Sequence, residues 1–250
     1  MKIAVCVKRV PDMETRFKIA SDARSVDETG LKFDINDFDA WAVEAALQLK
    51  EKAGQGEVVV ISLGPDAVQE TIRKALSMGA DRGVQLKADR VPFDGLAIAR
   101  ALAAELKDGG YDLVLFGKKS IDSSNEMVGP MVAELLELPC VTAVHKLDIA
   151  DGRGTAERAI EGGAEVVTFP LPAVLTVDEG LNQARYPSLK GIMAAKKKPI
   201  EVKPAAAGAE QVTVQGMALP PERAAGRILG EGAAVVPELV RLLQTEAKVM

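Results

Sequence analysis

The chain has 250 residues, of which 48% are hydrophobic, and this predicts a sizeable core in either one large domain with an appendage or two small domains. Its net charge of -5 argues against nucleic acid as a partner, and no apolar run approaches the roughly 18 residues that membrane insertion needs. One histidine and two cysteines without ligand spacing leave no predicted catalytic or metal-binding residue, and they favour a reducing, cytoplasmic location.

Short apolar runs bounded by turn residues predict strands, and amphipathic stretches between them predict helices. The predicted strands are residues 2–7, 57–63, 83–87, 111–116 and 173–177. The predicted helices are residues 38–53, 65–78, 93–106 and 126–136. Strands that alternate with helices at this spacing form a parallel sheet covered on both faces. The predicted fold is therefore α/β, with a doubly wound and mostly parallel sheet.

Two segments interrupt this alternation. Residues 16–35 alternate weakly and predict a hairpin excursion that turns near Gly30. Residues 141–149, 154–160 and 164–169 alternate around two glycine turns, which predicts a small antiparallel meander at one edge of the sheet. The single histidine lies in the first of these runs and is interpreted as an ordinary strand residue.

The segment from residue 172 to residue 201 leaves a buried strand and continues as a long polar stretch. It contains an Arg185-Tyr186-Pro187 turn, the apolar residues Leu189, Ile192 and Met193, and three consecutive lysines. A long stretch without its own periodicity is either functional or disordered, and these apolar residues argue against disorder. Two interpretations stay open: a presented loop, or a leucine that packs on its own domain beside solvated lysines.

The C-terminal part of the chain predicts an arm rather than a domain. Residues 204–209 are rich in alanine and proline and are typical of a linker. Beyond them, residues 212–217 predict one strand and residues 237–248 one helix, too little to form a core. We therefore divide the chain into a domain at 1–203 and a linker with arm at 204–250, the arm packing on the main domain or on a partner.

Polar residues follow three of the predicted strands. They are Lys8 and Arg9 after the first strand, Gly64 and Pro65 after the second, and the run from Gly117 to Asn125 after the fourth. Ligands of open parallel sheets bind beyond the carboxyl ends of the strands, so these residues predict a site for a nucleotide or dinucleotide phosphate. Helix capping and a common Gly-Pro junction are the alternatives. The sequence lacks the Gly-x-x-x-x-Gly-Lys-Ser/Thr and Gly-x-Gly-x-x-Gly patterns, which favours binding without turnover.

Five ordered blocks in residues 1–203 resemble the beta subunit of electron transfer flavoprotein. The blocks begin with Val5-Cys6-Val7-Lys8-Arg9-Val10-Pro11-Asp12, and they continue with Asn36-Asp37-Phe38-Asp39, the block from Gln69 to Gly83, the loop from Gly117 to Gly129, and the stretch from Pro172 to Glu201. The resemblance implies an adenine-nucleotide-binding fold and a heterodimer, whose alpha subunit holds a redox-active FAD. The C-terminal arm would then embrace that alpha subunit.

The same resemblance implies a buried AMP of structural role in the beta subunit. The implied cofactor-binding residues are Cys6, Asn36, Asp37, Phe38, Asp39, Leu63, Lys118, Lys119, Ser120, Ile121, Asp122, Ser123, Ser124, Asn125, Glu126, Met127, Val128 and Gly129. Phe38 and Met13 would lie near the flavin. Met13 stands where the family has an aromatic residue.

The resemblance also implies that residues 178–198 form a recognition loop, with Leu189 as the anchor that enters a pocket of a partner dehydrogenase. The implied docking residues are Arg185, Tyr186, Pro187, Leu189, Ile192, Met193, Lys196, Lys197 and Lys198. The expected function is that of an electron carrier, which is not itself an enzyme. It takes electrons from acyl-CoA or related dehydrogenases, as in fatty acid oxidation, and passes them to a membrane quinone oxidoreductase.

Two other functions remain as alternatives. Electron-bifurcating relatives hold a second FAD in the AMP site and receive electrons from NADH, and they carry Asp-Gly-Asp-Thr-Ala-Gln-Val-Gly where this chain has the run from Asp122 to Gly129. That difference, and the presence of Phe38, favour the ordinary carrier. The third possibility is a stand-alone adenine-nucleotide-binding module.

Overall fold

The computed structural model describes residues 1–223 and 225–250 of the chain. Its strands are β1 Lys2–Cys6, β2 Arg9–Pro11, β3 Phe33–Ile35, β4 Glu57–Gly64, β5 Arg82–Lys87, β6 Leu113–Gly117, β7 Cys140–Ala150, β8 Arg153–Ile160, β9 Gly163–Pro170, β10 Ala173–Val177 and β11 Ile200–Pro204. Its α-helices are α1 Asp37–Ala53, α2 Val68–Met78, α3 Gly95–Leu106, α4 Val128–Leu135, α5 Leu189–Ala195 and α6 Val236–Leu242.

Over the described residues, nine strands form one sheet in the order β11-β5-β4-β1-β6-β10-β7-β8-β9. The strands from β11 to β7 pair in parallel, and β7, β8 and β9 form the antiparallel meander at one edge. The predicted fold class is confirmed. Because the chain adds strands first on one side of β1 and then on the other, strand order reverses there, and a crevice opens at the carboxyl ends of β1 and its neighbours.

Both faces of the central strands β1, β4, β6 and β10 are buried, which explains their continuous apolar runs. Along β4, Val58 and Val60 pack under α1 and α2, whereas Val59 and Ile61 pack under α3 and α4. Acidic residues in its first turn and lysines in its last turn favour α1, and Gly54 ends it in the left-handed conformation.

The structure differs from the predicted elements in the first excursion. Ile19 and Val26 form an isolated antiparallel bridge, so a turn does occur within residues 16–35. The second strand of the excursion, however, pairs with residues just after β1: Arg9 lies opposite Ile35 and Pro11 opposite Phe33. The excursion is therefore tied to the carboxyl edge of the sheet rather than closed on itself.

The segment predicted as a long loop contains two regular elements that the pattern did not indicate. Residues 189–195 form α5, which packs on α2, and residues 200–204 form β11, which pairs in parallel with β5. The predicted strand at residues 212–217 is wrong, because no strand forms there. Residues just beyond β11 lie against α3, where Asp94 Oδ2 accepts from the Gln211 N–H at 2.6 Å.

Residues 1–216 form one compact unit, and residues 217–250 form a second, small one. The second unit contains α6, preceded by a 3₁₀ turn at Ala233–Val235 and followed by a π-helical turn at Leu243–Ala247. Half of its large apolar side chains are exposed, Ile228 the most among them. The division of the chain at residue 203 stays a prediction. Within the described residues, every helix is too short or too polar to traverse a lipid bilayer.

Candidate functional site

The site lies in the crevice at the carboxyl ends of β1 and β6, which are neighbours in the sheet. Asp39, in the first turn of α1, fills this crevice. Its Oδ2 accepts from the Lys8 N–H at 2.7 Å, and its Oδ1 accepts from the Gly117 N–H at 3.0 Å. The pairing of β1 with β6 ends at Cys6 and Phe116, so the carboxylate joins the two strands just beyond the last pair.

Asn36 precedes α1 and fixes the loop that follows β6. Its Nδ2 donates to the Lys119 carbonyl at 2.8 Å, and its Oδ1 accepts from the Ile121 N–H at 3.1 Å. The residue is 1% exposed, and the backbone N–H of Asn36 donates to the Lys8 carbonyl. A buried side-chain amide with both ends satisfied by backbone orders the loop strongly.

Lys8 connects β1 to the same loop through its side chain. Its Nζ donates to both carboxylate oxygens of Asp122 at 2.7 Å and lies 3.2 Å from Ser120 Oγ and 3.4 Å from Ser123 Oγ. Burial raises the pKa of Asp122, but the hydrogen bonds from Lys8 outweigh it and hold that pKa below its ordinary value. The loop therefore closes over the strand ends with its acidic group ionised.

The loop ends at α4, whose N-terminus no side chain caps. Ser124 and Glu126 have φ of 51° and 54°, in the left-handed region that non-glycine residues rarely adopt. At Gly129 an added Cβ would lie 2.6 Å from Thr176 Cγ2, so only glycine allows α4 this close to β10. Uncapped backbone N–H groups, with the exposed polar residues 123–125 before them, fit a phosphate or a similar anion.

Two groups in the crevice have strongly shifted pKa values. Burial raises the pKa of Asp39 to about 7, against the hydrogen bonds from Lys8 and Gly117 that lower it. Burial also raises the pKa of the Cys6 thiol well above its ordinary value, with the nearby Asp39 charge as the lesser cause. Cys6 is thus a neutral packing residue rather than a nucleophile.

The predicted flavin-proximal residues are Phe38, in the first turn of α1, and Met13, in the excursion between β2 and β3. Phe38 packs edge-to-face on Trp41, with ring centroids 4.9 Å apart, and the Lys119 ammonium lies 5.6 Å from the Phe38 centroid. Met13 is 77% exposed in the excursion between β2 and β3. The structure provides an exposed methionine and a half-buried aromatic pair at this edge of the sheet.

Not all of the predicted cofactor-binding residues come together. The structure joins Asn36, Asp39 and residues 117–122 through the bonds above. Cys6, the last residue of β1, and Leu63, the last but one of β4, lie on the face covered by α3 and α4, whereas α1 covers the opposite face. Lys118 turns away to an ion pair with Asp178 at 2.9 Å. Lys8, predicted as a polar residue at a strand end but not included among the implied cofactor-binding residues, provides the side-chain link across the crevice.

The recognition loop is fixed to α1 by Arg185. Its guanidinium forms ion pairs with Glu44 (Nε to Oε2, 2.6 Å) and with Glu51 (Nη1 to Oε1, 2.6 Å). The Glu44 side chain is only 5% exposed, and it also accepts from Gln48 Nε2 at 2.9 Å. Asn182 Nδ2 adds a bond to a carbonyl of α1. The first half of the recognition loop is therefore held against one helix.

The second half of the recognition loop is held against α2. Arg73 Nη1 donates to the Ala195 and Lys198 carbonyls at 2.6 and 2.5 Å, and Lys198 Nζ donates to two carbonyls at the end of α2. An added Cβ at Gly191 would lie 2.5 Å from the Ser77 carbonyl oxygen, so α5 and α2 touch backbone to backbone. Lys198 is thus a structural cap, unlike the exposed Lys196 and Lys197.

Between these two anchors, apolar side chains face outward. Tyr186 is 96% exposed and Leu189 is 84% exposed, and Ile192 and Met193 are also exposed. A pocket of about 570 Å³ lies beside them; it is lined by Glu70, Arg73, Lys74, Ser77, Pro187, Ile192, Ala195 and Lys196. An ordered helix that presents large apolar residues to solvent is typical of a protein interaction site. Within the described residues, no cluster of His, Cys, Asp and Glu could hold a metal ion.

Comparison with known proteins gives consistent matches over the whole chain. Residues 24–208 match the model of the electron transfer flavoprotein domain. Three proteins named electron transfer flavoprotein subunit beta illustrate the similarity. The protein of Syntrophomonas wolfei is 39% identical over 250 residues, covering 100% of this chain and 98% of the relative. That of Bacillus subtilis is 38% identical and covers 100% of both chains. The human protein is 40% identical over 233 residues, covering 90% of this chain and 91% of the relative.

Proposed function

Because this chain belongs to the family of electron transfer flavoprotein beta subunits, we propose that it forms a heterodimer with an alpha subunit and serves as an electron carrier in the cytoplasm. In that assembly FAD held mainly by the alpha subunit accepts and releases the electrons. The beta subunit contributes a bound AMP and a docking surface. Acyl-CoA or related dehydrogenases are the proposed donors, and a membrane quinone oxidoreductase is the proposed acceptor.

The crevice at the ends of β1 and β6 is the observation that supports the nucleotide. It combines an uncapped helix N-terminus at α4 with the exposed polar residues 123–125, where phosphate oxygens would bind. Asn36 and Asp39 order the surrounding backbone. Since Lys8 already neutralises Asp122, the phosphate would depend on backbone N–H groups and on Lys119. AMP in this place supplies bulk and charge, not redox chemistry.

Docking is supported by the exposure and the rigidity of the recognition loop. Leu189 at 84% exposure would bury its side chain in a dehydrogenase, which contributes about 1.5 to 3 kcal/mol. Energy of that size holds a transient complex and allows release after electron transfer. Arg185 and Lys198 order the loop before the partner arrives, so that little conformational entropy is lost on binding. The exposed apolar residues of the C-terminal unit suit an arm that covers the alpha subunit.

The decisive experiment is to count the nucleotides bound to the assembled protein. The chain is co-expressed with its alpha subunit, the purified heterodimer is denatured, and the released nucleotides are separated and quantified. We expect one FAD and one AMP per heterodimer. Two FAD without AMP would replace the carrier by the bifurcating type. A stable monomer that binds an adenine nucleotide without flavin or partner would refute the heterodimeric carrier altogether.

A further inference from the structure

The structure and the family resemblance suggest different roles for Asp39. The resemblance places it among the contacts of the nucleotide. In the structure its side chain is buried, with the whole residue 6% exposed, and each of its oxygens already accepts a backbone N–H. A carboxylate so enclosed presents little surface to a ligand, and its negative charge would repel a phosphate.

We propose that Asp39 is a positioning residue that joins the ends of β1 and β6 and thereby holds the nucleotide site in shape, rather than a residue that contacts the nucleotide. This inference rests on the proposed nucleotide function of the crevice. One of the two N–H groups belongs to Lys8, whose side chain binds Asp122, and the other belongs to Gly117, the last residue before the loop that runs to α4. Both walls of the site therefore depend on one carboxylate.

Gly117 provides an independent geometric sign of this role. A Cβ at that position would lie 2.3 Å from Asp39 Oδ1 and 2.6 Å from Phe38 Cβ. The glycine is thus required by the close approach of α1 to the end of β6. Removal of the carboxylate leaves two buried N–H donors without an acceptor, which is costly and is relieved only if the strand ends move.

The protonation state of Asp39 should control these two hydrogen bonds, from the Lys8 and Gly117 N–H groups, that join the strand ends. Accepting two N–H groups requires the ionised form, and burial raises the pKa of Asp39 to about 7. The charged and titratable groups around it are the Lys8 ammonium, which is turned to Asp122, the neutral Cys6 thiol on β1, and Lys118, which is paired with Asp178. Proton uptake below pH 7 removes one acceptor, so AMP binding should weaken there.

The test uses the heterodimer stripped of nucleotide and titrated with AMP at pH 6, 7 and 8. If the protonated form binds poorly, one proton with a pKa near 7 weakens AMP binding of the unmodified protein by up to about tenfold from pH 8 to pH 6. Asp39→Asn, with one acceptor in place of two, should lose about tenfold or more at pH 8 and show between pH 8 and pH 6 only the smaller loss that protonation of the AMP phosphate, with a second pKa of about 6, causes in every variant. Asp108→Asn, an exposed carboxylate beyond α3, is the matched control and should follow the unmodified protein.

Asp39→Asn that binds AMP with unchanged affinity, or that keeps the pH dependence of the unmodified protein, would overturn the inference. If that variant does not assemble, Gly117→Ala decides, because it displaces the carboxylate without removing it. Weaker AMP binding in folded Gly117→Ala supports the positioning role of Asp39, and unchanged binding refutes it. An unmodified heterodimer that binds no AMP at any pH would instead refute the proposed nucleotide function.

Discussion

Replacing Arg185 by methionine should destabilise the protein far more than an exposed ion pair would. The substitution keeps most of the side chain's bulk but leaves the Glu44 carboxylate, 5% exposed, with Gln48 as its remaining side-chain partner. Removing one member of a buried ion pair costs about 3 to 5 kcal/mol, and the partly exposed guanidinium points to the lower end. About 3 kcal/mol corresponds to roughly 6 to 12 °C in the unfolding midpoint of a chain of this size.

The pH dependence of this loss identifies its cause. Burial raises the pKa of Glu44, but hydrogen bonds from Arg185 outweigh it and hold the pKa below its ordinary value. In Arg185→Met burial is opposed only by the hydrogen bonds from Gln48 and from the backbone N–H of residue 185, so the pKa of Glu44 should rise and the carboxylate should take up a proton at a higher pH than in the unmodified protein. The variant should then regain stability relative to the unmodified protein between pH 7 and pH 5. The assay is thermal unfolding of the heterodimer at both pH values, followed by circular dichroism.

Two variants on α1 serve as controls for this prediction. Lys52→Met breaks the pair with Asp148, in which both side chains are 65% exposed, and should change the midpoint by no more than about 2 °C. Glu44→Gln removes the buried charge itself and leaves Arg185 bound to Glu51, so it should cost less than Arg185→Met. An Arg185→Met midpoint within about 2 °C of the unmodified protein, or a larger loss in Glu44→Gln, would contradict the role of this buried ion pair.

The remaining predictions concern the recognition loop. Leu189→Ala should slow electron transfer from a partner dehydrogenase about tenfold or more when the heterodimer concentration limits the rate. The FAD and AMP content of the heterodimer should stay unchanged. Val166→Ala, which alters a 65% exposed residue of β9, is its control; equal kinetics for the two variants would exclude the anchor role. Lys198→Met removes a helix cap and should lower the unfolding midpoint by roughly 2 to 4 °C for each kcal/mol lost. The control Lys197→Met, at an exposed position, should leave the midpoint unchanged. Equal midpoints for the two variants would contradict the capping role of Lys198.

The central part of the fold could be predicted because its signals are local. Strands buried on both faces are continuous apolar runs, and β10 was predicted with the observed bounds. β11 has no buried residue and no regular alternation, and it is a strand because it pairs with the edge of β5. Residues 212–217 have a comparable pattern, but they meet no free edge and form no strand. Pairing with a distant edge, rather than local pattern, decided both outcomes.

The sequence indicates a place for the candidate site but not its contacts, and nucleotide binding there stays a prediction. Strand ends and the glycine-containing loop indicated where a nucleotide would bind. The bonds that organise the place join residues far apart in the chain, such as Lys8 to Asp122, and no pattern within either segment indicates them. Arg185 was expected to be a docking residue, yet its side chain is occupied by two acidic residues of α1, Glu44 and Glu51, two helical turns apart. The spacing of Glu44 and Glu51, which places both carboxylates on one face of α1, was the one feature of the sequence that could have indicated an arginine partner.

The length of the recognition loop follows from the order of the strands. The loop joins β10 to β11, and four strands lie between these two in the sheet. At about 4.8 Å per strand the two strands are roughly 24 Å apart, and because they run parallel the chain must also return to the opposite edge of the sheet while passing outside α1 and α2. Deleting three residues would withdraw about 10 Å of reach and pull β11 from its edge. A change of electron donor during evolution would therefore proceed by substitutions around Leu189 at constant loop length, since a shortened loop would damage the sheet before it altered recognition.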